Sequence, residues 1–251
     1  MLTVSSLSVS YGRVPAVIDV SLEIPAGTVI GLVGANGAGK TTTLGAITAT
    51  RQIAGGDVLL DGRSIVGLTP EKIVRAGIAL VPENRRIFGS LSVMENLTLG
   101  VPVGRSRMPD HDAVTEAMDR FPILKTFAKR SAGMLSGGQQ QQLAIARALV
   151  TKPRVLMLDE PSLGLAPRIV DSVFEILAEL KDAGQTILLV EQNVTRTLGF
   201  ADRSTILRGG TVSLHASREE FAAMDPAAVE RAFFGSDQAS APGGQKVRTS
   251  Q

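Results

Sequence analysis

Residues 34–41, GANGAGKT, constrain this chain more than any other eight residues. They follow an apolar run, 28–33, that suits a buried strand, and they precede TTTLGAITA, which reads as a helix. Strand, glycine-rich turn and helix in that order match the pattern G-x-x-x-x-G-K-[ST] in the context it requires. Glycines let backbone N–H groups crowd around β- and γ-phosphates, and the helix that follows turns its positive dipole end toward them. Lys40 then sets an ammonium on the β/γ oxygens, and Thr41 offers its hydroxyl to Mg²⁺. The candidate cradle is Gly34, Asn36, Gly37, Gly39, Lys40, Thr41 and Thr42.

The rest of the chain reads as an α/β core around that loop. Strand patterns at 2–9 and 16–24 precede it, and GGDVLLDGRSI after it suits a hairpin or edge strand turning at Asp61-Gly62. Thr69-Pro70-Glu71 opens a helix and GIALVP is another strand. From Glu83 to about Arg147 the pattern turns helical, with a capping box at Ser92–Glu95 and Val114, Ala117, Met118 and Phe121 at helical spacing. Strand and helix then alternate: RVLMLDE, a helix over 168–181, TILLVE, and a hairpin turning at Gly209-Gly210. The polar, Gly/Pro/Ser-rich residues 236–251 read as a disordered tail. The expected architecture is therefore an N-terminal antiparallel β region joined to a core with an inserted helical segment, about 84–147.

Composition narrows the chemistry. Of 251 residues none is Cys, which removes disulfides and thiolate metal sites and fits cytosolic residence. The N-terminus lacks the pattern of a signal peptide, and no apolar stretch reaches the ~18 residues that cross a bilayer. Trp is absent, Tyr11 is the sole Tyr, and the formal charge is only +2, so nothing points to nucleic acid.

Two more stretches carry chemistry. RVLMLDEP, residues 154–161, is a buried strand that delivers Asp159 and Glu160 to its end. Asp159 suits Mg²⁺, directly or through water, and Glu160 suits orienting and deprotonating an attacking water. A solvated acidic turn is the bland alternative for that stretch taken alone. LSGGQQQQLAIARAL, residues 135–149, starts a helix at Ser136-Gly137-Gly138, whose N-terminus either binds an anion or is simply capped.

The phosphate loop, LSGG and LMLDE, in this order, resemble the ATP-binding cassette (ABC) ATPases, over about residues 2–235. The resemblance implies a P-loop NTPase (RecA-like) core and ATP with Mg²⁺ as ligands. It also implies two cassettes facing head to tail, each ATP lying between one phosphate loop and the other subunit's signature. On that pattern Tyr11 stacks on adenine, where the plainer alternative is a half-buried aromatic. Ser136, Gly137 and Gly138 contact the γ-phosphate held by the partner, and 162–167 cross the interface. Thr41, Glu83 and Asp159 hold the metal, while Glu160 and Gln192 act on the γ-phosphate end.

Three positions depart from the commonest family pattern: Glu83 replaces Gln, Ala166 replaces Asp and Gln192 replaces His, with His111 and His215 elsewhere. VPENRRIF, EPSLGLAP and LLVEQN together are similar to importer ATPases for branched-chain amino acids and small amides, including urea. The expected partners are membrane permease subunits, a second cassette and, indirectly, an extracytoplasmic solute-binding protein. The expected place is the cytoplasmic face of the inner membrane. A lipopolysaccharide-export ATPase, a soluble cassette of DNA repair or translation, and a regulatory nucleotide binder are the alternatives.

Overall fold

The computed structural model describes residues 1–101 and 111–235; the expected tail at 236–251 lies outside them. The chain begins β1 (Leu2–Tyr11), β2 (Val14–Ile24), β3 (Val29–Gly34), α1 (Lys40–Ile47), β4 (Gly55–Leu60), β5 (Arg63–Ser64), α2 (Pro70–Ala76) and β6 (Ile78–Val81). Helices α3 (Val93–Gly100), α4 (His111–Arg120), α5 (Pro122–Thr126) and α6 (Gly137–Leu149) follow. The chain continues through β7 (Val155–Asp159), α7 (Pro167–Asp182), β8 (Thr186–Glu191), α8 (Val194–Phe200), β9 (Arg203–Arg208), β10 (Thr211–Ser217), α9 (Arg218–Ala223) and α10 (Pro226–Phe234).

Two sheets result. One is antiparallel, in the order β2-β1-β4-β5, and the other runs β10-β9-β3-β8-β7-β6. Pairs β3–β8, β3–β9, β7–β8 and β6–β7 are parallel, with β10 as an antiparallel edge. Every residue of β3, β7 and β8 is buried, which explains why their sequences are continuous apolar runs instead of alternating ones. β1 shows the alternating pattern with one slip. Leu2 and Val4 are buried, then Leu7 and Val9, and the change of phase is taken up by a register shift at Ser6, whose φ is 48°.

Apolar side chains of α1 pack between the two sheets with Ile30, Leu32, Leu188 and Val190, and with Leu2, Val4, Val20 and Ile24 from the first sheet. A second core joins the far face of the large sheet to α6, α7 and the small helices. The expected capping box at Ser92 forms, with the Glu95 carboxylate accepting from Ser92 N at 2.7 Å. The helix placed at 168–181 extends by one residue each way, to Pro167–Asp182.

Helices α8, α9 and α10 were not expected. Two had readable starts. Ser217 with Glu220 forms a capping box at α9, and Asp225-Pro226 opens α10. They bury Phe221 and Phe233 against Val33, Ile206 and Ala216 and so close the β9–β10 end of the sheet.

Candidate functional site

Because β3, β6, β7 and β8 run parallel, their carboxyl ends open on one edge of the sheet, the usual place for a ligand in an open α/β fold. The loop after β3 lies beside the end of β8, which lies beside the end of β7. That order brings together residues more than a hundred positions apart. Tyr11, Asn36, Gly37, Gly39, Lys40, Thr41, Thr42, Glu83, Glu160 and Gln192 line one cavity of about 500 Å³, with Ala16 and Leu163.

Gly39 precedes α1 at φ 104°, a left-handed conformation that favours glycine, and a Cβ there would lie 2.7 Å from Ala16 O. The β9–β10 turn reinforces this approach. Gly210 O accepts from Ile18 N at 2.7 Å, and Gly210 N donates to Ala38 O at 3.1 Å. The phosphate loop is thereby strapped by backbone bonds to β2. At the rim, Tyr11 is half exposed. Its hydroxyl lies 3.2 Å from Thr42 Oγ1, and Arg51 sits over its ring with Cζ 5.5 Å from the centroid.

Lys40 is buried and triply anchored. Its Nζ donates to Gly34 O at 2.7 Å and Ala35 O at 3.1 Å, and it pairs with Glu160 Oε1 at 3.1 Å. Gly34 itself does not line the cavity; its contribution is that carbonyl. The other oxygen of Glu160, Oε2, accepts a hydrogen bond from Gln192 Nε2. Glu160 N donates to Val190 O at 2.9 Å, and its φ is 48°, a strained value for a non-glycine residue. So β7 hands Glu160 into the site through a turn that β8 holds.

Asp159 lies behind Thr41, whose hydroxyl donates to Asp159 Oδ1 at 3.2 Å. Burial pushes the Asp159 carboxyl up to about 6. The nearby charges of Glu160 and Glu83 push the same way, against the Thr41 hydrogen bond and Lys40. A buried carboxylate crowded by two others and one hydroxyl fits a hard divalent cation, which favours its ionised form. No group of three or more His, Asp or Glu side chains able to hold a metal occurs among the described residues.

Glu191 was missed in the sequence, where it looked like part of the polar end of a strand. It is buried. Its Oε1 accepts from Ser162 N at 3.1 Å and its Oε2 from Gln192 N at 3.3 Å, so it ties the loop after Glu160 to the residue after β8. Burial holds its carboxyl above the usual carboxylate range, and those hydrogen bonds offset only part of that push.

Ser136, Gly137 and Gly138 do not line the cavity. Ser136 caps α6 in a full capping box with Gln139, and Gly138 packs so closely that a Cβ there would lie 2.4 Å from Ile169 Cγ2. His215 is on β10, with Nδ1 2.8 Å from Thr205 Oγ1, away from the cavity. The side chain of His111 lies outside the described residues.

Fold and site together define a P-loop nucleotide-binding cassette. The chain belongs to the ABC transporter family, whose sequence profile matches residues 17–163. It is 44% identical to BraG of Pseudomonas aeruginosa, a high-affinity branched-chain amino acid transport ATP-binding protein. That match covers 86% of this chain and 92% of BraG. LivF of Archaeoglobus fulgidus, a probable branched-chain amino acid transport ATP-binding protein, is 38% identical over 88% of this chain and 93% of its own length. Among solved structures, a nucleotide-free ATP-binding cassette from an ABC transporter superimposes with a TM-score of 0.80 at 26% identity, covering 92% of this chain and 97% of that one. The chain is accordingly an ATPase whose hydrolysis serves transport. No helix among the described residues is long and apolar enough to cross a membrane.

Proposed function

We propose that this chain powers uptake of branched-chain amino acids or related small amides, including urea, by hydrolysing ATP against permease subunits. It works at the cytoplasmic face of the inner membrane, paired with a second cassette and served indirectly by an extracytoplasmic solute-binding protein. Residues 1–235 act as the ATPase domain, with about 84–147 as its helical subdomain. The observation that carries the reading is the meeting of Lys40, Glu160, Gln192 and Glu83 in one cavity behind the phosphate loop. The named relatives support branched-chain amino acids as the solute; the small amides rest on the sequence resemblance alone.

In this reading Tyr11 meets the adenine, while Asn36, Gly37, Gly39, Lys40, Thr41 and Thr42 cradle the phosphates. Thr41 and Asp159, with Glu83, would hold Mg²⁺, which supplies charge neutralisation on the β- and γ-oxygens when bound. The γ-phosphate competes with Glu160 for Lys40 and Gln192, the two groups that occupy both of its carboxylate oxygens. Once released from them, Glu160 takes a proton from water as the water oxygen attacks phosphorus and the bond to the ADP oxygen breaks. Ser136, Gly137 and Gly138 face the γ-phosphate of the partner's ATP.

Phe88 is half exposed just beyond Glu83, beside Arg85 and Arg86, and gives the permease an apolar anchor. A photo-crosslinker at position 88 should capture a membrane permease subunit in native membranes. ATP-driven leucine uptake by vesicles of the captured complex should then confirm the solute class. Capture of ribosomal protein or DNA overturns the proposal.

A further inference from the structure

The roles above leave Glu191 without a part in the reaction, although it stands between the two residues that act on the γ-phosphate end. It is the last residue of β8, with 2% of its surface exposed. Burial and, beyond it, the charge of Glu160 both disfavour its anion, and no Lys or Arg offsets them among the described residues. An apolar side chain would complete the β8 run with no such penalty. What the carboxylate supplies in its place is two acceptor oxygens on one stem.

One oxygen takes Ser162 N at 3.1 Å and the other takes Gln192 N at 3.3 Å. No other acceptor meets either N–H among the described residues. The first bond steadies the turn that presents Glu160, whose φ of 48° is strained. Pro161 has no N–H, so the donors that flank it are Glu160 N and Ser162 N. Glu160 N is held by Val190 O at 2.9 Å, and Ser162 N by the Glu191 side chain alone. Leu163 N then donates back to Glu160 O at 3.0 Å and closes the turn. A backbone strained in this way persists where its surroundings hold it from both sides.

The second bond fixes the main chain of Gln192, whose side-chain amide donates to Glu160 Oε2. One buried carboxylate therefore anchors the backbone on both sides of the Glu160–Gln192 contact. We propose that Glu191 is a positioning residue of the ATPase reaction: by accepting from Ser162 N and Gln192 N together, it keeps the Glu160 carboxylate and the Gln192 amide in one fixed relation at the γ-phosphate end of the cavity. The inference rests on the roles proposed above for Glu160 and Gln192.

The test is steady-state phosphate release by the assembled transporter, read separately as kcat and as KM for ATP. Glu191→Gln keeps the shape but replaces one acceptor oxygen with an amide group that cannot accept an N–H. Its kcat should fall roughly tenfold, as expected for one lost hydrogen bond to a charged group, with KM for ATP within about twofold because the phosphate loop is untouched. Glu191→Asp keeps the charge on a stem one carbon shorter, which cannot span both donors, and its kcat should fall between. If Glu191→Gln does not fold, Glu191→Asp decides. The double variant with Gln192→Ala separates positioning from plain stability. Residues that act as a unit are not additive, so Glu191→Gln should add no more than about threefold to the loss that Gln192→Ala causes alone.

An unchanged kcat overturns the proposal. A rise in KM as large as the fall in kcat overturns it too, and so does the full single-variant loss reappearing on top of Gln192→Ala. Either result would make Glu191 a support of the fold alone. Gln192→Ala turning over at the parent's rate shows instead that the reading of Gln192 is wrong, and the role of Glu191 falls with it.

Discussion

Replacing Gln192 with Ala isolates the contribution of the end of β8. Gln192 lines the candidate ATP cavity, and its side-chain amide donates to Glu160 Oε2, so the truncation removes a donor from a buried carboxylate and, on the reading proposed above, from the γ-phosphate that competes for it. A hydrogen bond to a charged group is worth about 1.5–3 kcal/mol. Felt fully in the transition state, that is a loss of about ten- to a hundred-and-fiftyfold in turnover. Nucleotide affinity should change much less, because Lys40 and the loop amides remain. Gln192→His should shift the rate only modestly. An imidazole can donate in the same place, and its charge near neutral pH adds to the attraction for phosphate, whereas the amide is always neutral. The assay is steady-state phosphate release by the assembled transporter for all three proteins. Equal rates for wild type and Gln192→Ala would refute the reasoning, since β8 would then not sense the phosphate.

Three further outcomes are expected. Glu160→Gln should abolish phosphate release while equilibrium dialysis shows ATP still bound, because the carboxylate's proton acceptance is lost and the loop is not. Gly138→Ala sets a Cβ 2.4 Å from Ile169 Cγ2, so thermal melting should show a destabilisation of about 1–3 kcal/mol that Ile169→Ala partly relieves. Asp202 is pushed up by burial but held below the usual carboxylate range overall by hydrogen bonds from Lys181 and Val29 N, with Arg218 adding its charge. Its folded value is depressed, so its stabilisation is present above the ordinary carboxylate pKa of about 4 and fades as pH falls through the lower folded value. Denaturant titrations of wild type and Asp202→Asn should therefore differ at pH 7 and converge in acid.

What was legible in the sequence was local. The β3–loop–α1 unit, the LMLDE strand and the capping box at Ser92 each declare themselves within a few residues, because turn chemistry and burial on both faces leave direct marks. Residues whose meaning depends on register were less visible. Glu191 reads as one polar residue among three until β7 and β8 are paired, after which it faces Ser162 N. Gln141 sits inside a run of glutamines, and only the fold reveals which of them is buried against Arg85. Gly138 looked like a ligand contact, and within the chain it is the place where α6 meets Ile169 of α7. The helices α8 to α10 are short, and their caps are weak signals without the sheet end they cover.

The strap that ties Ala38 to Ile18 through Gly210 works as a gauge. Tyr11 and Ala16 on one side of the cavity and the phosphate loop on the other are joined by main-chain bonds, so neither can drift without the other. With Tyr11 as the base wall, as proposed above, the span from that wall to Lys40 is a constant of the molecule. On that reading a nucleotide would be measured against it end to end: one with an extra phosphate, or with a spacer between base and triphosphate, would overshoot the lysine or miss the wall. Length discrimination of this kind needs no contact with the base edges, and it costs nothing to reset after each turnover.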